Sequence, residues 1–300
     1  MKNDIAQQIT DAIIAELEAG AAPWVKPWKS LRGTPGEGMP YNPVSKTVYR
    51  GINAFWLGMR SNGYSMPWFV TFKQARQLGG TVRRGETGHP VVFWSIQRAG
   101  QLNEDGSVAE KSWAFVKSYT VFNVDQCDGL TLPPMPKQPQ ADFEADELVM
   151  GIVDKLQLAR GLIHGGDSAF YTPSVDSITM PPMAAFPDSG NYHATLLHEA
   201  VHATGHKSRL NRLTPARFGA EEYAYEELVA ELGAAMLCQY CGVDGDLRHA
   251  GYIGHWLEAL KKDKSLILSA ASKAQKALDW LTEAKAAEEE TSTEEAAPAA

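Results

Sequence analysis

An α+β protein of two domains is the fold class this sequence predicts, on three observations. Residues 1–136 run through short segments that alternate between strand and helix patterns, and six of the eight tryptophans fall there. The remainder is dominated by long helical periodicities, one of which carries His198-Glu199-Ala200-Val201-His202. Between them lies a Pro-rich stretch, 133–146, opening Pro-Pro-Met-Pro-Lys-Gln-Pro, of the composition that makes semi-rigid spacers. The predicted organisation is therefore a domain over 1–132, a linker over 133–146 that holds the halves apart, and a domain over 147–285. An acidic, small-residue tail over 286–300 is expected to be disordered.

The charge divides along the same line. Net charge is −8 in 300 residues, but residues 1–136 carry 14 Lys/Arg against 11 Asp/Glu and the remainder 14 against 25. A mildly basic, aromatic-rich half beside an acidic half suggests separate tasks. No apolar run is long enough to span a bilayer, and the N-terminus lacks a signal-peptide core. Three cysteines suit a reducing compartment, so a cytoplasmic protein without a membrane partner is expected. Cys238-Gln-Tyr-Cys241 matches C-x-x-C without a second pair, and packing is its expected role.

Taken in order, Ile5, Ile9, Ile13 and Leu17 recur every four residues and predict a helix ending at Gly20. Two prolines then break the chain in Pro23-Trp-Val-Lys-Pro-Trp-Lys29. This places Trp24 and Trp28 beside Lys26 and Lys29, either as a small core or as rings and ammonium groups for a single strand. Tyr49 and Arg50 continue the basic and aromatic alternation, and Asn53 to Met59 starts a helix. Trp68 to Phe72 has strand character, and Lys73 to Leu78 reads as a short helix. Thr81-Val-Arg83-Arg84-Gly85 is a basic turn. Pro90 to Ile96 and Ala114 to Phe122 are strands, with polar Gln97 to Glu110 as the hairpin tip.

In the second half, Glu147 to Leu162 reads as a helix, and Ala169 to Met180 alternates like strands. Ser177 to Met180 is a candidate sheet edge on which a peptide could be laid. The helix that follows has capping residues in Asp188-Ser-Gly-Asn191 and a stop at Gly205. Its H-E-x-x-H spacing puts His198 and His202 on one face as metal ligands, with Glu199 able to face a metal-bound water as general base. A catalytic site needs a third ligand. Ser208 stands where the metzincin pattern wants histidine, so that pattern fails. His206 would have to fold back past the helix end. Glu227 and Glu231 stand one turn apart on the alanine-lined face of a second helix, Tyr223 to Met236, where charge needs a partner. Glu222 and Glu226 are expected on its solvated side. Helices over Tyr252 to Leu260 and Ile267 to Leu281 close the domain.

Glu227-Leu-Val-Ala-Glu231-Leu-Gly is similar to the ligand helix of thermolysin-like gluzincins. That resemblance implies Glu227 as the third ligand and Glu231 as the acid that orients a zinc-binding histidine, with the swapped roles as the alternative. It also implies Zn2+, with Mn2+ as a second option, and a stabiliser for the oxyanion, for which Tyr223, Tyr252 and His255 are candidates.

A wider resemblance rests on linked signatures: Leu17-Glu-Ala-Gly20, Pro23-Trp-Val-Lys-Pro-Trp28, Tyr49-Arg-Gly-Ile-Asn53, Thr71-Phe-Lys-Gln-Ala75, Leu78 to Gly85 and Val121 to Gln126. In this order they resemble the N-terminal single-stranded-DNA-binding domain of ArdC-type antirestriction proteins, which also occurs in TraC-type plasmid primases. The likeness continues through His198 to Gly205, Arg209-Leu-Asn-Arg212 and Tyr223 to Gly233. It implies a metallopeptidase joined to a DNA-binding module that shields conjugative plasmid DNA from restriction. Its partners would be single-stranded DNA, contacted by Trp24, Lys26, Trp28, Lys29, Tyr49, Arg50, Lys73, Arg83 and Arg84, and a protein or peptide substrate such as a host restriction component. The competing reading is a DNA-coating protein whose metal only steadies the fold. Glu199 favours the enzyme, since a structural site needs no base.

Overall fold

The structure, a computed structural model, describes residues 5–18, 38–61, 63–102, 108–134, 145–213, 221–244, 253–263 and 265–283. The N-terminal half opens with helix α1 (Ile5–Glu18), whose Ile9 and Ile13 are fully buried, as their four-residue spacing requires. A small hairpin, β1 (Tyr41–Asn42) and β2 (Thr47–Val48), leads into α2 (Ile52–Arg60), buried over most of its length. Strand β3 (Phe69–Thr71) passes directly into α3 (Phe72–Gln77). There Thr71 caps the helix and Gln74 returns the bond to the Thr71 N–H. Short β4 (Thr81–Val82) pairs with β7 (Cys127–Asp128), and between them β5 (His89–Leu102) and β6 (Val108–Asn123) form a long antiparallel ribbon. The polar residues expected to form the hairpin tip continue the ladder to Leu102↔Val108. Pairing uses backbone groups, which polar and apolar residues share.

Strand order in the main N-terminal sheet is β3-β6-β5. That leaves β5 as an edge, and Asn53 from α2 blocks it like a fragment of strand. Its Nδ2–H donates to the Val92 carbonyl at 2.6 Å, and its Oδ1 accepts from the Val92 N–H at 2.9 Å.

The C-terminal half begins with α4 (Ala145–Asp154), which stops short of the expected Leu162. Gln157 and Gly161 take positive φ, and the chain turns into β8 (Gly161–His164). With β9 (Phe170–Thr172) and β10 (Ser177–Met180) this forms a sheet of order β8-β10-β9, β10 being parallel to β8 and antiparallel to β9. Ser177 to Met180 is thus the central strand, which corrects its reading as an edge. Both its ladders are occupied, so β8 and β9 are the edges. Helices α5 (Ser189–Thr204), α6 (Glu221–Cys241), α7 (Ile253–Lys262) and α8 (Leu266–Thr282) complete the fold. The middle of α6 is buried on all sides, from Leu228 through Cys238, which makes it the hub of this half.

The two halves are not held apart. Ile9, Phe55, Trp56, Leu57, Leu237, Ile267 and Leu278 belong to one continuous core. Gly58 of α2 lies against the Gln239 side chain of α6, the Gly51 N–H donates to Gln275 of α8 at 2.8 Å, and Arg50 pairs with Asp279. Burial of shared apolar surface overrides what the Pro-rich stretch by itself suggests.

Candidate metal centre

The centre is built where α5 crosses α6. Asp188 caps α5, its carboxylate accepting from the Asn191 N–H at 2.8 Å, and Gly205 ends it. Gly233 of α6 faces Val201 of α5, where a Cβ would come within 2.8 Å of a valine methyl. Only glycine admits so close an approach without displacing Val201, and the approach brings the carboxylates of α6 to the imidazoles of α5.

Two imidazole nitrogens and one carboxylate converge. His198 Nε2 and His202 Nε2 are 3.1 Å apart, and each lies 3.5 Å from an oxygen of Glu227. These are the residues that the sequence reading named as ligands, and they form a metal-sized cluster. The far side of each ring also meets a carboxylate. His198 Nδ1 is 3.9 Å from Glu231, and His202 Nδ1 is 3.3 Å from Glu226. A carboxylate on Nδ1 favours the proton there and turns the Nε2 lone pair inward. At 3.1 Å the two Nε2 atoms need a positive charge between them, a shared proton or a cation, so the donor set fits a divalent metal. Glu199 sits outside the cluster, buried, with its charge felt at His202.

Burial by itself would lower the pKa of His202. Glu226 and Glu227, assisted by the charge on Glu199, outweigh it and hold the imidazole up at about 10. Glu227 is pushed well below the ordinary carboxylate range, its own burial being outweighed by both histidines. Two anions therefore already favour positive charge at this point.

Glu226 corrects the expectation of a solvated side chain. Arg212 reaches it through Nε and Nη2 at 2.8–3.2 Å, while Arg212 Nη1 donates to Thr204 Oγ1 at 2.8 Å. The loop after α5 makes this reach. Arg212 and Leu213 both donate backbone N–H groups to the Gly205 carbonyl, and a Cβ on Gly205 would lie 2.7 Å from Leu213. Arg209 anchors the same loop, donating to the Ala203 and Leu156 carbonyls and pairing with Asp176. The sequence reading missed the Glu226–Arg212 pair. Its only signal was two arginines shortly after a helix stop.

His206 lies outside the cluster, with Nδ1 2.7 Å from the Ser208 hydroxyl. Of the oxyanion candidates, Tyr223 is half-buried on α6, Tyr252 lies outside the described residues, and His255 stands on α7. Cys238 and Cys241 are buried and free, and burial pushes both thiols upward, which keeps them neutral.

The candidate DNA contacts separate into three groups. Trp24, Lys26, Trp28 and Lys29 lie outside the described residues. Tyr49 is corrected as a strand contact, and Arg50 is engaged within the chain. Tyr49 is 6% exposed and donates to the Phe69 carbonyl, and Arg50 is committed to Asp279. Lys73, Arg83 and Arg84 are exposed, with Arg83 paired to Glu86 and Asp128.

Comparison with known proteins agrees with both halves of this geometry. Residues 3–122 match the N-terminal domain of anti-restriction factor ArdC, and residues 153–273 match a zincin-like metallopeptidase family. The antirestriction ArdC protein of plasmid R388 is similar at 40% identity over 93% of this chain and 97% of that one, with a TM-score of 0.72. The chain belongs to the ArdC antirestriction family. A Mn(II)-bound structure of the R388 protein superposes with a TM-score of 0.70 at 39% identity, covering 93% of this chain and 97% of that one. The uncharacterized protein y4eC of Sinorhizobium fredii is 39% identical over 93% of this chain and 91% of its own. DNA primase TraC of Escherichia coli is 37% identical over the whole of this chain, which spans only 29% of that primase. The ArdC likeness therefore covers both domains and a family that includes a metal-bound member. Among the described residues, no helix is long and apolar enough to cross a membrane.

Proposed function

We propose that this chain binds single-stranded DNA through its N-terminal half and hydrolyses a peptide bond at the metal centre, protecting incoming conjugative plasmid DNA from host restriction. Glu199 carries the reading. A metal that only steadies a fold needs ligands, and here a further buried carboxylate stands beside the first ligand without being among the converging donors.

His198, His202 and Glu227 would hold the cation, and Glu231 and Glu226 would keep the two imidazoles aimed at it. Zinc suits two imidazoles and a carboxylate, and manganese is the second choice. A bound ion would supply Lewis acidity and bring the pKa of a water toward neutrality. The Glu199 carboxylate would accept a proton as a water attacks the carbonyl and return it to the departing amine. The open edges β8 and β9 offer backbone groups to an extended substrate by strand addition. A component of the host restriction machinery is the proposed substrate.

The test is conjugation into restricting and non-restricting recipients with wild type and Glu199→Ala. Removing a general base costs at least about a hundredfold in rate. Protection is expected to be lost in the restricting host only, with bound metal retained. Full protection by a folded, metal-loaded variant would leave DNA coating around a structural metal as the better account.

A further inference from the structure

Among the described residues of the N-terminal half, four large apolar side chains stand exposed, and three are aromatic. Phe72, Phe93 and Tyr119 are 45, 44 and 44% exposed. All three belong to the β3-β6-β5 sheet or its immediate end. Phe93 lies opposite Lys117 in the β5–β6 ladder and meets Tyr119 diagonally, ring centroids 5.5 Å apart and planes at 75°. Thr71 pairs with Val121, so Phe72 leaves β3 next to the stretch of β6 that carries Tyr119. Neighbouring strands lie about 4.8 Å apart, so the Phe72 backbone starts one strand away from the segment of β6 that carries Tyr119.

The cations beside these rings are as uncommitted as the rings. Arg76 packs over Phe72 at 4.9 Å, Lys73 follows Phe72 and is exposed, and Lys117 is exposed opposite Phe93. None of the three has a carboxylate partner among the described residues, whereas Arg50, Arg83, Arg209 and Arg212 each do. Uncovered rings next to unneutralised cations want flat apolar faces and repeated negative charge together. A single strand of nucleic acid presents both, as unstacked bases and phosphates.

We infer that Phe72, Phe93 and Tyr119 form a stacking surface, flanked by Lys73, Arg76 and Lys117 as phosphate contacts, on which single-stranded nucleic acid lies across the sheet. This rests on the DNA-binding reading above and gives it residues that the sequence reading did not contain, apart from Lys73.

The experiment is fluorescence anisotropy of the full-length protein with labelled oligothymidine over a salt series. Phe72→Ala, Phe93→Ala and Tyr119→Ala are each expected to weaken binding by about 5- to 100-fold, and Tyr119→Phe to retain it. Lys117→Gln and Lys73→Gln are each expected to flatten the salt slope by roughly 0.7. If an alanine variant loses its native circular dichroism, the two lysine variants still report on the same surface. Alanine and lysine variants that bind like wild type would overturn the surface while leaving DNA binding intact. A wild-type protein without affinity for oligothymidine would overturn both. Variants with normal DNA affinity but no protection in conjugation would assign the face to a protein, which also overturns the proposal.

Discussion

The metal centre and the N-terminal sheet treat charge in opposite ways. Around the centre charges are paired in a chain: Glu227 with two histidines, His202 with Glu226, Glu226 with Arg212, and beside it Asp176 with Arg209. On the sheet and the α3 helix at its end, Lys73, Arg76 and Lys117 have no carboxylate partner among the described residues. The contrast reflects two kinds of recognition. Holding an ion among buried donors requires each donor to be oriented by something else before the ion arrives. Holding a charged polymer requires cations still free to exchange small counterions for phosphates.

The largest effect that could break this contrast is expected at the ligands. Glu227→Ala or His202→Ala should lose most bound metal by elemental analysis of the purified protein, whereas Glu199→Ala keeps it. Metal lost from Glu231→Ala or His206→Ala, but not from Glu227→Ala, would move the third ligand elsewhere. Next comes the tether. Arg212→Ala leaves Glu226 buried beside His202 without its cation, and loss of one partner of a buried pair costs about 3–5 kcal/mol in denaturant unfolding. Glu226→Gln keeps the shape and should cost about 10- to 100-fold in metal affinity by calorimetric titration. If Arg212→Ala proves no more destabilising than a surface change, the idea of a preorganised centre fails. Arg50→Ala supplies that comparison, since its pair with Asp279 is part-exposed and should be worth less than about 1 kcal/mol.

A further effect, confined to low pH, concerns a charge that the sheet excludes. Burial, assisted by Arg60, pushes His89 from its ordinary 6.5 down to about 4. The unfolded chain therefore binds the extra proton first as pH falls. The stability contributed by neutral His89 is full above about 6.5, declines between there and about 4, and is gone below. Thermal melts of wild type and His89→Gln across this window should converge toward its acid end. Parallel curves would show that His89 is not held neutral.

What could be read from the sequence depended on how local the determinant was. Helix α5, its cap at Asp188 and the two imidazoles one turn apart are all set within a few residues, and they stood out at once. Glu227 was reachable because an acid on an alanine-lined face demands a partner. Glu226 was not, because its partner arrives through a loop folded back on Gly205. The central place of β10 escaped for a similar reason, strand order being decided by what packs beside a segment. Tyr49 and Arg50 show the same limit from another side. A basic and aromatic run looks alike whether it meets DNA or another part of the chain, and Asp279 lies more than two hundred residues away. The rings of Phe72, Phe93 and Tyr119 became visible only once exposure was known.

The core shared by the two halves has a consequence for inheritance. A recombination breakpoint in 133–146 would part the two halves, and it would strip α1 and α2 of the helices that cover them. Ile9, Phe55 and Leu57 on one fragment, and Leu237, Ile267 and Leu278 on the other, would then meet water. Selection against such fragments should make the pair travel between plasmids as a single heritable unit, however different the tasks of its members.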